Sequence, residues 1–233
     1  MAGVRLIDNN GMGKGDSSMA KLRVHNITMS LDGFMAGRDQ TADAPMGVGT
    51  EKLHSWVFDT KFGRAMIGQE GGSEGLDNDY LERGDDGIGA TIMGRNMFGP
   101  IRDEWDDSGW QGWWGDTPPY GHPVFVLTHY PRDPLPMKGG TTFNFVDDGI
   151  HSALEQAFDA ADGADVRLGG GASAIRQYLA AGLVDELHLV ISPVVIGGGE
   201  RIFDGLDAGW PAGFEVAEFV PSETVTHAVL RKV

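Results

Sequence analysis

Three consecutive glycines, Gly169, Gly170 and Gly171, stand between an apolar run at residues 166–168 and a helix-like pattern over residues 172–179. A strand that passes through glycines directly into a helix lets backbone N–H groups approach an anion, and the helix dipole adds partial positive charge there. Tight strand-to-helix packing uses the same glycines. A second turn of this kind, at residues 94–97, favours phosphate binding. We call residues 169–171 the triglycine turn.

Short apolar segments alternate with helical patterns through most of the chain. The segments predict strands over residues 21–29, 90–93, 123–128, 142–146, 165–168 and 186–191. Apolar residues at helical spacing predict helices over residues 50–62, 150–161 and 172–181. Two further segments, residues 214–220 and 224–233, predict a closing hairpin. The order predicts an α/β fold with a mostly parallel sheet and an antiparallel C-terminal hairpin.

The net negative charge of the chain argues against some classes of binding partner. Its formal net charge is −16 over 233 residues, and both nucleic acid and an anionic membrane surface require a basic face on the protein. We therefore expect neither as a partner, and we expect any bound anion to be held locally. The hydrophobic content of 41% is enough for one domain with a full core over residues 19–233.

The composition also bears on location and metal chemistry. The chain has no cysteine, which excludes disulfides and is typical of the reducing cytosol. Residues 1–18 lack the apolar run of a signal peptide, and no stretch reaches the ~20 apolar residues of a membrane span. We expect a soluble cytoplasmic protein in which residues 1–18 are a disordered extension. The seven histidines show no metal-ligand spacing, so no metal site is predicted.

Tryptophans in two regions have alternative explanations. Trp56 lies on the face of the predicted helix 50–62 that would line a pocket, and core packing explains the same position. Four more, Trp105, Trp110, Trp113 and Trp114, lie in a stretch over residues 100–123 whose irregularity predicts a long ordered loop. Such residues stack on planar ligands, or they anchor a loop to the protein body or to a second subunit. Anchoring is the favoured interpretation.

Five short motifs occur in a recognisable order. They are SLDG at residues 30–33, IMGRNMF at 92–98, VLTH at 126–129, LGGG at 168–171 and DELHL at 185–189. This order resembles the dihydrofolate-reductase-like fold and, within it, the reductase domain of riboflavin biosynthesis, known as the RibD C-terminal family. The resemblance extends over about residues 21–233. It implies a three-layer fold with an NADPH site across the carboxyl ends of the central strands.

The resemblance also implies which residues contact the cofactor. They are Gly94, Arg95, Asn96, Met97, Thr128, His129, Gly169, Gly170, Gly171, Ala172 and Ser173. Arg95 would take the 2′-phosphate, and a planar guanidinium suits a phosphate dianion. Thr128 and His129 would line the adenosine and its phosphate. The two glycine turns would hold the diphosphate.

On the substrate side, the resemblance implies that the loop at residues 32–37 covers the nicotinamide. Asp32 is the candidate catalytic residue. It would face the substrate as a proton relay or a hydrogen-bond acceptor, or it would orient the loop through its own backbone. Phe34 and Trp56 are the candidate substrate contacts. Two positions depart from the family. Leu53 stands where dihydrofolate reductases carry the acid that binds the pterin, and Leu168 stands where the riboflavin reductases usually carry a glutamate before the glycines.

These observations predict an NADPH-dependent reductase that transfers hydride to a pteridine- or aminopyrimidine-like substrate. The activity would resemble that of 5-amino-6-(5-phosphoribosylamino)uracil reductase of riboflavin biosynthesis. A flavin-dependent relative, and a nucleotide-binding relative that has lost catalysis, are the alternatives. We also expect a homodimer, because symmetric pairs are common and members of the family often pair.

Overall fold

A computed structural model of the protein describes residues 19–99, 103–105, 109–206 and 213–233. The strands in these ranges are β1 (Leu22–Ser30), β2 (Ile88–Gly94), β3 (Pro123–Leu127), β4 (Leu135–Pro136), β5 (Thr142–Val146), β6 (Asp165–Leu168), β7 (Glu186–Ser192), β8 (Phe214–Pro221) and β9 (Thr226–Lys232). They form one nine-stranded sheet in the order β4-β5-β3-β2-β6-β1-β7-β9-β8. The extension predicted over residues 1–18 and parts of the tryptophan-rich stretch lie outside the described residues.

The pairing of the strands confirms the predicted fold class. The neighbours from β5 through β3, β2, β6 and β1 to β7 are all parallel. Antiparallel pairs occur at the two sides, where β4 pairs with β5 and where β9 pairs with β7 and β8. The chain is therefore an α/β protein with a mostly parallel sheet, and β8 and β9 form the predicted C-terminal hairpin.

Helices cover both faces of the sheet. In the described ranges they are α1 (Ser55–Asp59), α2 (Lys61–Met66), α3 (Leu76–Asp85), α4 (Arg95–Phe98), α5 (Ile150–Ala161) and α6 (Ala172–Ala180). Leu187 and Leu189 on β7 join a core cluster with residues of α5 and α6. Val190 joins a second cluster, with Trp56 of α1 and Leu81 of α3. Because successive strand residues point to opposite faces, the sheet lies between two helical layers.

The helix predicted over residues 50–62 is wrong in its extent. The chain forms two short helices, α1 and α2, which are separated at Thr60 by extended backbone with φ −82° and ψ 161°. Thr60 forms an isolated bridge with Ser73, and its hydroxyl accepts from the Gly63 N–H at 3.0 Å. Gly63, predicted to end the helix, lies inside α2. A Cβ atom there would meet the Val57 carbonyl oxygen at 1.9 Å.

None of the helices in the described ranges is both long enough and apolar enough to cross a membrane.

Three buried histidines lie side by side on neighbouring strands. His25 on β1, His188 on β7 and His227 on β9 are 5%, 0% and 0% exposed. His227 Nε2 lies 2.8 Å from the Asp77 carboxylate, so this nitrogen donates. In the neutral ring Nδ1 must then accept, and His188 Nε2 donates to it at 3.1 Å. The Tyr80 ring of α3 stacks on His227 with 4.0 Å between centroids. The interior beneath α3 thus depends on neutral imidazoles.

We expect stability to fall as the pH falls through the histidine range. Burial lowers the pKa of His188 and of His227 below the ordinary value of 6.5, so the unfolded chain binds more protons than the folded one below that pH. One such histidine removes about 2 kcal/mol between pH 6.5 and 5, at roughly 1.4 kcal/mol per pH unit. Urea unfolding at several pH values measures this loss.

The variant His188→Gln keeps an N–H donor for His227 but does not titrate, so its unfolding free energy should depend less steeply on pH. His151→Gln is the control, because His151 is exposed on α5. Equal pH slopes in wild type and His188→Gln would show that His188 does not cause the loss.

Candidate cofactor site

The two glycine turns lie next to each other at one edge of the sheet. β2 and β6 are parallel neighbours, and each turn follows the carboxyl end of its strand. The Gly94 N–H donates to the Gly170 carbonyl at 2.6 Å, and the Gly169 N–H donates to the Ile92 carbonyl at 2.9 Å. Turns that are far apart in the sequence therefore form one continuous edge.

Open space lies above the triglycine turn at Gly171. A Cβ atom on Gly171 would meet no heavy atom of the described residues within 4 Å. Gly171 is also the N-cap of α6, so the first-turn N–H groups of that helix lie beside this space. The Gly170–Gly171 peptide bond is cis. Free backbone N–H groups beside an open glycine fit the diphosphate of a dinucleotide.

The predicted role of Gly94 needs correction. Its N–H is already bonded to the Gly170 carbonyl, so it is not a free donor for a diphosphate. Gly94 acts instead where the two turns touch, because a Cβ atom there would lie 3.4 Å from both Ala174 Cβ and Gly171 N. The backbone N–H groups that remain at this turn belong to the start of α4.

Arg95 and Thr128 are brought together, as the sequence predicts. They follow the adjacent strands β2 and β3, whose ends pair Gly94 with Leu127. Arg95 Nη1 donates to Thr128 Oγ1 at 2.8 Å, and Nη2 donates to the Asp103 carbonyl at 3.0 Å. Arg95 Nε is buried and has no hydrogen-bond partner among the described residues. The Nε–H is therefore one donor of this guanidinium that the described residues leave unused.

The tryptophan-rich loop covers the Arg95 guanidinium. Arg95 Cζ lies 3.3 Å from the centroid of the Trp105 ring, and Arg132 Cζ lies 4.7 Å from it. Burial lowers the pKa of Arg95, and the neighbouring charge of Arg132 adds to the effect. Two cations thus meet at one indole ring in a protein of net charge −16.

The other predicted cofactor residues surround this edge. Met97 packs against the triglycine turn, since a Cβ atom on Gly170 would lie 3.5 Å from Met97 Sδ. Asn96 is exposed, and Ala172 is buried at the start of α6. Ser173 and His129 are exposed. Their roles toward the cofactor stay predictions.

The loop after β1 reaches the triglycine turn through Met35. A Cβ atom on Gly170 would lie 3.9 Å from Met35 Cε. The Met35 N–H donates to the Glu200 carbonyl at 2.9 Å, and the Glu200 N–H donates to the Ala36 carbonyl at 2.9 Å. The loop is thereby tied to the segment that follows β7.

Asp32 connects the same two segments. Its carboxylate accepts from the Gly197 N–H at 2.7 Å, from the Ile196 N–H at 3.1 Å and from the Ser30 hydroxyl at 2.6 Å. The Ser30 hydrogen bond and the backbone N–H groups lower the pKa of Asp32 to about 2. An ionised carboxylate has no proton to donate. The geometry therefore favours the alternative in which Asp32 orients the loop. The backbone N–H groups that it binds belong to the segment after β7 and not to its own turn.

We expect Asp32→Asn to reduce kcat/KM severalfold without changing the shape of the pH profile. The amide keeps one acceptor oxygen and presents N–H groups to a backbone donor, which loosens the contact between the loops. Asp32 is ionised throughout about pH 5 to 9, so it does not titrate in this range. Its replacement should therefore remove neither the acidic nor the basic limb of the pH profile. Asp43→Asn, at an exposed position, is the control. A lost limb in Asp32→Asn would restore the proton-relay role.

Trp56 does not line the pocket. Its side chain is 2% exposed, and its Nε1–H donates to Thr28 Oγ1 at 3.0 Å inside the core. Of the two alternatives, core packing is therefore the one that the structure shows. Leu53 and Leu168 are both 0% exposed, so the positions that carry acids in the family are apolar and buried here.

Phe34 stays a predicted substrate contact. It is half-buried on the loop after β1, and the Arg201 guanidinium carbon lies 4.1 Å from its ring centroid.

Two described tryptophans of the long loop, Trp105 and Trp110, are anchored to the protein body. Trp105 Nε1 donates to the Tyr130 carbonyl at 2.7 Å, and Trp110 Nε1 donates to the Phe98 carbonyl at 2.9 Å. These contacts confirm the anchoring interpretation within the chain. Sequence reasoning missed that Trp105 and Arg132 belong to the Arg95 site. A second arginine shortly after VLTH was the available signal.

The arrangement of paired turns with an arginine after β2 can be compared with known families. The family model described as the RibD C-terminal domain matches residues 23–218, which is most of the chain. The chain belongs to the RibD C-terminal domain family. Membership in this family supports the assignment of the chain as a reductase. A comparison with curated proteins finds no match for this RibD C-terminal domain.

Solved structures share the fold of this RibD C-terminal domain at low sequence identity. A candidate riboflavin biosynthesis protein from Shewanella sp. PV-4 is 19% identical, with a TM-score of 0.55 and coverage of 93% of this chain and 99% of the other. A pyrimidine reductase-like protein from Corynebacterium diphtheriae is 13% identical, with a TM-score of 0.52 and 92% coverage of both chains.

A Thermotoga maritima protein named diaminohydroxyphosphoribosylaminopyrimidine deaminase/5-amino-6-(5-phosphoribosylamino)uracil reductase is 14% identical, with a TM-score of 0.56. The match covers 92% of this chain and 57% of that protein. At these identities the likeness shows the fold alone.

Proposed function

We propose that the protein is an NADPH-dependent reductase that acts on a planar nitrogen heterocycle of the aminopyrimidine or pteridine type. The observation that carries this proposal is the meeting of Arg95 and Thr128 beside the paired glycine turns. A guanidinium with an unused buried donor stands at one end of an edge whose other end is an open, amide-lined glycine turn. An arginine and a backbone cradle along one edge of the sheet suit a nucleotide with both a 2′-phosphate and a diphosphate.

The residues present fit NADPH. Arg95 would hold the 2′-phosphate, and Gly171 with the first turn of α6 would hold the diphosphate. When bound, NADPH supplies the hydride. The loop after β1, tied to the segment after β7 by Asp32 and Met35, would cover the site and exclude water.

The names of proteins that share this fold support the proposed substrate class. Relatives of this fold include a protein named as a uracil reductase and one named as pyrimidine reductase-like. Leu53 and Leu168 present no carboxylate, so the ring must be recognised by other groups, with Phe34 as the candidate stacking partner.

Titration of the purified protein with NADPH, followed by nicotinamide fluorescence, tests the proposal. We expect saturable binding with a dissociation constant on the order of micromolar, and weaker binding of NADH. Oxidation of bound NADPH in the presence of aminopyrimidines or pteridines then identifies the substrate. Absence of binding at about 1 mM NADPH would defeat the proposal.

A further inference from the structure

The Arg95 guanidinium stacks on the Trp105 ring and also donates hydrogen bonds, so it is held more firmly than an ordinary surface arginine. The guanidinium face lies 3.3 Å from the indole centroid, and two of its nitrogens are fixed by Thr128 Oγ1 and the Asp103 carbonyl. A cation on an indole face leaves the donors at the guanidinium edge available. The stack thus fixes the plane of the group, and the buried Nε remains without a partner in the described part of the chain.

Trp105 is itself fixed by the segment that follows β3 and carries Thr128 and Tyr130. Its Nε1–H donates to the Tyr130 carbonyl at 2.7 Å, while the Tyr130 N–H donates to Thr128 Oγ1 at 3.1 Å. The ring also meets Phe98 and Phe145 edge-on, with centroids 5.8 Å and 5.2 Å away. The indole therefore has one orientation.

The charges around this ring are not balanced by hydrogen-bonded carboxylates in the described ranges. Arg95 donates to a hydroxyl and a carbonyl, and Arg132 Nη1 donates to the Trp110 carbonyl at 3.3 Å. Gathering two guanidinium groups costs repulsion unless an anion joins them. Among the described residues both guanidinium groups donate to neutral acceptors, and the nearby charge of Asp103 acts on Arg95 without a hydrogen bond from its carboxylate. The pair therefore keeps donors for a further anion.

We propose that Trp105 is a positioning residue that holds the Arg95 guanidinium for a nucleotide 2′-phosphate, with Arg132 as a second cation at the same ring. This inference rests on the proposed function and adds the residues that distinguish NADPH from NADH. Trp105 acts through Arg95 and need not touch the cofactor.

Calorimetric titration with 2′,5′-ADP and with 5′-ADP tests this role without any catalytic turnover. Trp105→Leu keeps apolar volume but removes the aromatic face, so the preference for 2′,5′-ADP over 5′-ADP should fall about 5- to 30-fold. Trp105→Phe keeps a face and should lose about threefold or less. Trp110→Leu is the matched control, because Trp110 has the same kind of backbone anchor in the same loop. Its preference should stay within about twofold of wild type.

The outcomes separate the possibilities. Equal losses in Trp105→Leu and Trp110→Leu would mean that Trp105 only holds the loop, and tighter 2′,5′-ADP binding in Trp105→Leu would mean that the indole obstructs the site. Either result overturns the inference while the proposed function stands. If wild type binds NADPH but shows no preference for 2′,5′-ADP over 5′-ADP, the inference also fails. Wild type that binds neither nucleotide nor NADPH overturns the proposed function itself.

Discussion

Arg95→Ala is expected to weaken NADPH binding about 10- to 150-fold, because hydrogen bonds to charged groups contribute roughly 1.5–3 kcal/mol. NADH has no 2′-phosphate, so its affinity should change by less than about threefold. Fluorescence titration with NADPH and with NADH gives the ratio of variant to wild-type dissociation constants for each cofactor. Arg95→Lys keeps the charge but not the planar fork of donors. Its NADPH affinity should therefore lie between those of wild type and Arg95→Ala.

Lys138→Ala is the control for loss of one positive charge, because Lys138 forms an exposed ion pair with Asp116 away from Arg95. It should leave the preference for NADPH unchanged. Equal losses of NADPH and NADH affinity in Arg95→Ala would remove Arg95 from the 2′-phosphate.

Gly171→Ala is expected to keep the fold and to weaken both cofactors more than about tenfold, on the order of 1.4 kcal/mol. The φ of Gly171 is −75°, which alanine adopts, and a Cβ atom there meets no atom within 4 Å in the part of the chain that the structure describes. The same Cβ atom would stand where a diphosphate must approach the backbone. Because the diphosphate is common to both cofactors, the loss should be equal for NADPH and NADH.

Gly169→Ala is the matched control in the same turn, because the Gly169 N–H is already bonded to the Ile92 carbonyl and is not free for the diphosphate that the resemblance assigns to it. A Cβ atom on Gly169 would make ordinary contact with Thr91 Cγ2 at 3.6 Å, on the protein side of the turn. Thermal unfolding should show that both variants fold, and only Gly171→Ala should lose affinity. Wild-type affinity in a folded Gly171→Ala would show that the diphosphate lies elsewhere.

The arrangement of the site could be predicted from the sequence because it depends on strand order. Parallel strands joined by crossovers place their carboxyl ends at one edge, so turns that follow β2 and β6 must meet if those strands are neighbours. Arg95 and Thr128 follow β2 and β3 in the same way. Local pattern and motif order were sufficient for these residues.

Other features depend on contacts that no local pattern records. Helical spacing places Trp56 on an inward face but does not distinguish a core from a pocket, and the Thr28 hydroxyl on β1 decides it. The break at Thr60 arises from the bridge to Ser73. Trp105 reaches Arg95 through a loop without periodicity, so their stacking could not be predicted.

Asp32 shows the limit of a motif. Asp before Gly predicts a turn residue, and its place in the loop expected to cover the nicotinamide makes it a candidate proton relay. The amides of Ile196 and Gly197, which help to keep the carboxylate ionised, lie far from Asp32 in the sequence. Their contact with Asp32 is visible only in the folded protein.

A crystal structure of the protein with NADPH measures the central claim most directly. The account predicts that the 2′-phosphate lies within about 3 Å of the Arg95 guanidinium and that the diphosphate lies on the N–H groups at the start of α6. A dinucleotide bound at another edge of the sheet, or one whose 2′-phosphate faces solvent away from Arg95, would contradict it.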